Sequence, residues 1–177
     1  MTDLDNTPKA AGPTQATPGT ALRLGRPQDA YAALGMAVDH LMTKPAYANV
    51  RFSSWAKILA GQINRQHYVF IFSPANRVVG MLGWAYADRA AAELWMTGRP
   101  APFGDGRNGD SVIFNIYSAD DPDAAGPLLL RAGRQAMLGK SMMYSRRFYP
   151  DGRIRPWKMP VSRFVRKHLA DTDPAGG

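Results

Sequence analysis

Apolar residues recur at helical spacing in several segments of this chain. Tyr31, Leu34, Val38 and Leu41 lie three or four residues apart, which predicts a helix that begins near residue 27 and that Pro45 ends. A second short helix is predicted at 54–60, where Gly61 would terminate it. Similar patterns predict further helices at 88–96, 121–138 and 161–169.

Between these helices, short runs rich in aromatic and β-branched residues predict strands. They cover residues 66–73, 77–85, 111–118, 142–149 and 153–158. Turn residues at 74–76 and 150–152 indicate that the first two and the last two strands form hairpins.

The strand at 111–118 alternates in polarity. Alternation puts one set of side chains on each face of the sheet. We expect Val112, Phe114 and Ile116 on one face and Ile113, Asn115 and Tyr117 on the other.

The predicted element order is ααββαβαββα, which indicates an α/β or α+β fold with a mostly antiparallel central sheet flanked by helices. Residues 1–26 contain Pro, Thr, Gly and Ala with few bulky apolar residues, and we expect a disordered tail. Residues 27–170 would form a single domain, and residues 171–177 a second tail. No signal peptide and no stretch of ~18 apolar residues is evident.

Composition narrows the chemistry. The chain has 177 residues, 22 Lys+Arg and 14 Asp+Glu, for a formal charge of +8. The absence of Cys excludes disulfides, thiolate zinc sites and a cysteine nucleophile. With only three His, no metal site is expected. The chain carries no P-loop, no strand-linked G-x-G-x-x-G, no G-x-S-x-G and no H-E-x-x-H, and we expect a flexible loop at 104–109.

Much of the positive charge lies near the C-terminus. Nine Lys and Arg residues fall between positions 140 and 168, against a single acid, Asp151. This segment is either a solvated face or a docking surface for an acidic protein or an anionic membrane. Nucleic acid is not expected, because no recognised nucleic-acid module accompanies the basic residues. The candidate docking residues are Arg153, Arg155, Lys158, Arg163 and Arg166.

Short motifs in order along the chain resemble the RTX toxin-activating lysine acyltransferases. They are Ala33-Leu34-Gly35, Leu41-Met42-Thr43-Lys44-Pro45-Ala46-Tyr47, Gln62-Ile63-Asn64-Arg65-Gln66, Val79-Gly80-Met81-Leu82-Gly83-Trp84-Ala85 and Trp95-Met96-Thr97-Gly98. The resemblance implies an acetyltransferase-like (GNAT-like) fold. It also implies a cytoplasmic enzyme that moves a fatty acyl group from acyl carrier protein to internal lysines of an RTX-type protoxin.

Ordinary acetyltransferases hold the acetyl-CoA pyrophosphate on a Gly-rich turn that opens a helix. We expect that turn after the second strand, where this chain has Tyr86-Ala87-Asp88-Arg89 and no Gly. Ordinary use of acyl-CoA is therefore not expected. The resemblance implies acyl carrier protein as the acyl donor, with no bound cofactor.

The resemblance implies a catalytic His after the Pro that ends the first helix, and an Asp on the strand after W-x-S-G. Tyr47 and Asn115 occupy these positions. A tyrosine of pKa near 10 is a poor base, and an asparagine cannot take a proton. His40 is a candidate substitute base. The alternative is a catalytically degenerate relative that binds a protein, a lipid or an anionic membrane.

Overall fold

A computed structural model of the chain describes residues 21–48, 50–99, 104–149, 151 and 153–170. Most of the predicted N-terminal tail and all of the predicted C-terminal tail lie outside these residues. The six strands found in the described part are β1 (Arg23–Gly25), β2 (Tyr68–Phe72), β3 (Val78–Ala87), β4 (Ser111–Ala119), β5 (Met142–Phe148) and β6 (Ile154–Pro160). The helices are α1 (Ala30–Met42), α2 (Pro45–Ala48), α3 (Phe52–Arg65), α4 (Arg89–Met96), α5 (Pro122–Ala136) and α6 (Val161–Ala170).

The six strands form one sheet in the order β1-β2-β3-β4-β5-β6. Neighbouring strands are antiparallel except for β4 and β5, which are parallel and are connected by α5. Parallel neighbours require a crossover connection, and a helix is the usual one. The predicted mostly antiparallel sheet flanked by helices is thus confirmed.

Helices cover both faces of the sheet. On one face, α5 and α6 pack over Trp84, Val112 and Phe114. On the opposite face, α1 and α3 cover Phe70, Met81 and Ile116, and α4 covers Ile113 and Tyr144. The side chains in these clusters are apolar, so their burial supplies the main driving force for folding.

Strand β1 corrects the predicted start of the domain at residue 27. Arg23, Leu24 and Gly25 pair with Phe72, Ile71 and Phe70 of β2. The Arg23 guanidinium lies over the Phe72 ring, 4.7 Å from its centroid. A three-residue edge strand gains its stability from backbone pairing more than from buried side chains. Its sequence therefore carries little apolar periodicity.

Helix α3 is longer than predicted and passes through Gly61. It begins at Phe52 and ends at Arg65, where Gln66 adopts a left-handed conformation with φ 58°. A Cβ on Gly61 would lie 3.0 Å from the Arg65 guanidinium. Gly61 thus makes room for the Arg65 side chain to fold back along the helix and does not cap it.

The predicted alternation in β4 is wrong after Phe114 because the strand contains a β-bulge. Trp84 pairs with Phe114, and the adjacent Gly83 pairs with Ile116, which leaves Asn115 as the extra residue. Phe114 consequently faces α5, and Ile116 faces α1 and α3. The bulge redirects the side chains that follow it.

Candidate active site

The candidate site is the opening between the two parallel strands. β4 and β5 pair only from Ser111 to Phe114, opposite Met142 to Ser145. Beyond this point β4 remains paired with β3 as far as Ala119. The opening holds a cleft of about 740 Å³, within the range of small-molecule binding sites.

The cleft combines an apolar lining with basic residues. Three of its arginines come from β5 and β6: Arg146, Arg147 and Arg155. Trp157 also lines it. Its apolar side chains are Leu82, Phe114, Leu129, Leu130, Met137, Met143 and Phe164. Such a lining suits an elongated apolar ligand with an anionic end.

Asn115 is the bulge residue of β4 and lines the cleft, and the side chain of Gln62 in α3 holds it in place. The Gln62 side chain is fully buried, and its Nε2 donates a hydrogen bond to Asn115 Oδ1. A Cβ on Gly83 would lie 2.7 Å from both polar atoms of the Gln62 amide. Only glycine at this position lets Gln62 reach across β3. The hydrogen bond from Gln62 orients the Asn115 amide, and the Nδ2 hydrogens are its donors for a substrate carbonyl.

Tyr47 lines the same cleft from α2 and contacts the backbone of β4. Its hydroxyl accepts a hydrogen bond from Tyr117 N (3.1 Å) and donates one to Tyr117 O (3.3 Å). Its ring meets Trp55 edge to face at 5.2 Å. Burial raises the pKa of Tyr47 above its usual 10. The side chain therefore stays protonated at neutral pH and is no general base.

His40 lies apart from Tyr47 and Asn115. It is buried, its Nε2 lies 3.0 Å from Ser118 Oγ, and its Nδ1 lies 4.0 Å from a carboxylate oxygen of Asp120. Burial, and then the Lys44 ammonium, lower its pKa. His40 does not line the cleft. Two of the three candidate catalytic residues thus share a cavity, and the third does not.

The predicted docking residues divide into several groups. Arg155 lines the cleft, and Arg163 is exposed. Lys158 forms an ion pair with Glu93 at 2.9 Å, and Arg153 bonds the carboxylate of Asp151. The side chain of Arg166 lies outside the described residues. Of the predicted docking residues whose side chains are described, Arg155 is the one that lines the cleft.

Arg146 and Arg147 also line the cleft. The sequence placed them in the basic C-terminal segment but did not predict that they belong to the site. Arg146 lines both the main cleft and a smaller cavity of about 130 Å³ beside it. Its guanidinium lies over the Trp95 ring, 5.2 Å from the centroid. Strand pairing of 142–148 with 154–160 could have indicated that these arginines share a sheet edge with Arg155.

Helix α5 connects the parallel strands β4 and β5, so an anion-binding turn is expected at its N-terminus and not at residues 86–89. In an open sheet, such a turn precedes the helix that connects parallel strands. Here that turn contains Asp120 and Asp121, and the Asp121 carboxylate accepts hydrogen bonds from Asp123 N and Ala124 N. The sequence-based placement at residues 86–89 is wrong because the strand that follows, β4, is antiparallel to β3. The N-terminus of α5 is thus occupied by the chain's own carboxylate.

In the part of the chain that is described, no group of three or more His, Asp or Glu side chains could hold a metal ion. No described helix has the length and hydropathy needed to cross a membrane.

No protein-family model matches the chain, and no curated protein matches it in sequence. Solved structures do match. The apo form of an agmatine N-acetyltransferase mutant is 8% identical, with 83% of this chain and 81% of that chain covered and a TM-score of 0.50. The loading GNATL domain of CurA from Lyngbya majuscula is 13% identical, with 73% and 68% covered and a TM-score of 0.48. Arylalkylamine N-acetyltransferase 2 from Aedes aegypti is 11% identical, with 71% and 75% covered and a TM-score of 0.46.

The chain has the GNAT acetyltransferase fold. At these identities the likeness establishes the fold alone. The GNAT-like prediction is confirmed, and the resemblance to RTX toxin-activating acyltransferases stays a prediction. Within the GNAT fold of this chain, the parallel pair β4 and β5, the bulge at Asn115 and the cleft lie together.

Proposed function

We propose that this protein is a cytoplasmic acyltransferase that moves a fatty acyl group from acyl carrier protein to lysine side chains of an RTX-type protein. The observation that carries the proposal is the cleft between β4 and β5. Its apolar lining suits an acyl chain, and Arg146, Arg147 and Arg155 suit an anionic donor.

A carrier-bound donor fits this cleft better than coenzyme A. A pyrophosphate at the N-terminus of α5 would meet Asp120 and Asp121, and the first amides of that helix are already bonded to Asp121. An acidic carrier would instead meet the exposed arginines of β6 and α6, among them Arg155 and Arg163. We infer that positive charge beside the cleft receives the carrier.

The reaction consistent with this arrangement needs no bound cofactor. The neutral ε-amine of lysine attacks the carbonyl carbon of the thioester, a C–N bond forms and the C–S bond breaks. The amine gives up one proton, and the departing thiolate takes up a proton to leave as the thiol. Asn115 Nδ2 would donate to the carbonyl oxygen as it gains negative charge, and Gln62 would hold that amide in place.

Purified protein incubated with palmitoyl-loaded acyl carrier protein and a lysine-rich RTX repeat protein tests this proposal. We expect thiol release and an added acyl mass on lysine. Asn115→Ala should lower kcat/KM by about 10²-fold, the effect of removing one donor to a developing oxyanion. Arg131→Ala, an exposed arginine of α5 outside the cleft, is the matched control and should leave the rate unchanged. Transfer that is absent at every carrier concentration would refute catalysis.

A second candidate function is binding without chemistry. It is favoured by one observation: among the described residues that line the cleft, none is a histidine, aspartate or glutamate. In that case the cleft would hold an acyl chain or lipid, and the basic residues would face a protein partner or an anionic membrane. Binding of acylated carrier or of anionic vesicles, with no acyl-lysine formed, would support this function over transfer.

A further inference from the structure

A second group of charged side chains lies at the opposite end of β4 from the cleft, where β4 begins. We define the His67 cluster as His67 with four cations, and the aromatic rings Trp84 and Tyr86 pack against it. The cations are Arg26, Arg65, Arg107 and Lys140. They come from four separate parts of the chain. Nothing in the proposed acyl transfer uses these residues.

Aromatic rings hold two of these cations beside the imidazole. Arg26 lies over the Trp84 ring, 5.7 Å from the centroid, and Lys140 lies 4.0 Å from the centroid of Tyr86. His67 stacks on Trp84 at 5.8 Å and meets Tyr86 edge to face at 4.8 Å. The positive charges are thus fixed by packing.

Arg65 occupies a space between two glycines. A Cβ on Gly61 would lie 3.0 Å from the Arg65 guanidinium, and one on Gly106 would lie 3.2 Å from it. Gly106 has φ +68°, and its carbonyl accepts a hydrogen bond from Tyr86 N, which fixes the loop over the guanidinium. The loop therefore brings Arg107 to the same place.

The cluster contains polar atoms that nothing in the described chain satisfies. Arg65 Nε and His67 Nδ1 are buried without a hydrogen-bond partner among the described residues. Asp105 is the acid that faces Arg65, but its carboxylate accepts from Arg107 N and Asn108 Nδ2 of its own loop. Buried polar groups and uncompensated charge are costly unless something satisfies them.

The lowered pKa of His67 is consistent with this excess of positive charge. Burial, and then Arg65, Arg107, Arg26 and Lys140, lower the pKa of His67 to about 4. Four like charges around a neutral ring raise the electrostatic potential there, and an anion would relieve that repulsion.

We propose that the His67 cluster is a binding site for a phosphate group, either free phosphate or the phosphate of a small phosphomonoester. Three guanidinium groups and one ammonium group can supply charge-assisted hydrogen bonds of the kind that phosphate oxygens accept. A dianion fits four surrounding cations better than a monovalent carboxylate. The site is independent of acyl transfer.

The test is NMR of the intact protein at pH 7, with inorganic phosphate added against chloride at matched ionic strength. We expect phosphate to shift the His67 ring signals and the Trp84 indole signal, with those of His40 unchanged. Arg107→Ala, at an exposed loop position, should weaken phosphate binding about tenfold. Lys140→Ala should do the same, and it keeps the proposal testable if one variant folds poorly.

Two controls separate this site from the cleft. Arg155→Ala removes a cleft arginine and Arg131→Ala removes a remote one, and both should keep the His67 response. Glycerol phosphate that binds more tightly than inorganic phosphate would identify a phosphomonoester as the ligand, and equal affinity would identify free phosphate. Unchanged His67 and Trp84 signals, or responses equal in wild type, Arg107→Ala and Lys140→Ala, would overturn the proposal.

Discussion

The two halves of strand β4 differ in the number of strands that pair with them. From Ser111 to Phe114 the strand has β3 on one side and β5 on the other. Asn115 is the unpaired bulge residue, and from Ile116 to Ala119 the strand pairs with β3 alone. There the Tyr47 hydroxyl forms hydrogen bonds with both Tyr117 N and Tyr117 O. The first half is therefore enclosed by strands on both sides, whereas the second half has one open side, where Asn115 and Tyr117 line the cleft.

The difference teaches how one sheet can be both a scaffold and a site. A strand that loses its neighbour exposes backbone groups and side chains together. In this chain a single side chain, Tyr47, replaces part of the missing ladder, and the bulge at Asn115 redirects the side chains at the transition. Substitutions in the two halves should therefore affect different properties.

The largest expected effect lies in the paired half. Ile113→Ala removes a side chain that is 1% exposed, so we expect the free energy of unfolding to fall by about 2–5 kcal/mol. Tyr117→Ala, in the open half at 50% exposure, should cost less than about 1 kcal/mol. Urea unfolding measures both. Equal losses would remove the distinction between the halves.

At the junction of the two halves we expect Gly83→Ala to destabilise the fold by about 1–3 kcal/mol, because its Cβ would overlap the buried Gln62 amide. The variant should also lower acyl transfer, since Gln62 no longer holds Asn115. Gly35→Ala in α1 is the matched control, because Gly35 is exposed and nothing lies within 4 Å of its Cβ. That helical substitution should stabilise by about 0.5–1 kcal/mol. A Gly83 variant as stable as wild type would contradict the described packing.

Tyr47→Phe tests whether Tyr47 acts in structure or in proton transfer. The change leaves Tyr117 N and O without this partner, so we expect a loss of about 1–2 kcal/mol in thermal or urea unfolding. The pH dependence of acyl transfer should not move. Tyr31→Phe, at a side chain 87% exposed, should change neither property. A shifted pH profile in Tyr47→Phe would instead make Tyr47 a catalytic acid or base.

A further prediction is a pH dependence of stability from His67. Its pKa falls from 6.5 to about 4 on folding, so between these values the unfolded chain binds more protons. This contribution to stability is present above pH 6.5 and is lost as the pH falls toward 4. His67→Gln should flatten that part of the stability curve in urea unfolding at several pH values. An unchanged slope would contradict the electrostatics of the cluster.

Much of the fold followed from local patterns in the sequence. Strands β2 to β6 and helices α4 to α6 end within a few residues of their predicted positions, because each has its own periodicity and turn residues. Strand β1 was missed, since three residues at a sheet edge carry little pattern. The bulge was missed because alternation assumes a regular ladder.

The candidate site was only partly predictable. The resemblance placed Tyr47 and Asn115, which do line one cleft, whereas His40 lies elsewhere. The hydrogen bond between Gln62 of α3 and Asn115 of β4 depends on the absence of a side chain at Gly83 of β3. No local sequence pattern predicts a contact among three separate elements. The His67 cluster likewise draws on distant segments whose charges look unremarkable one at a time.

The central claim, that the opening beside β4 receives an acylated carrier, has a direct measurement. Methyl-labelled methionines report on it by NMR, because Met137 and Met143 line the cleft and Met36 and Met42 lie on α1 outside it. Palmitoyl-loaded carrier should shift Met137 and Met143 strongly, and carrier without the acyl chain should shift them little. Shifts confined to Met36 and Met42, or no shift at saturating carrier, would contradict the claim.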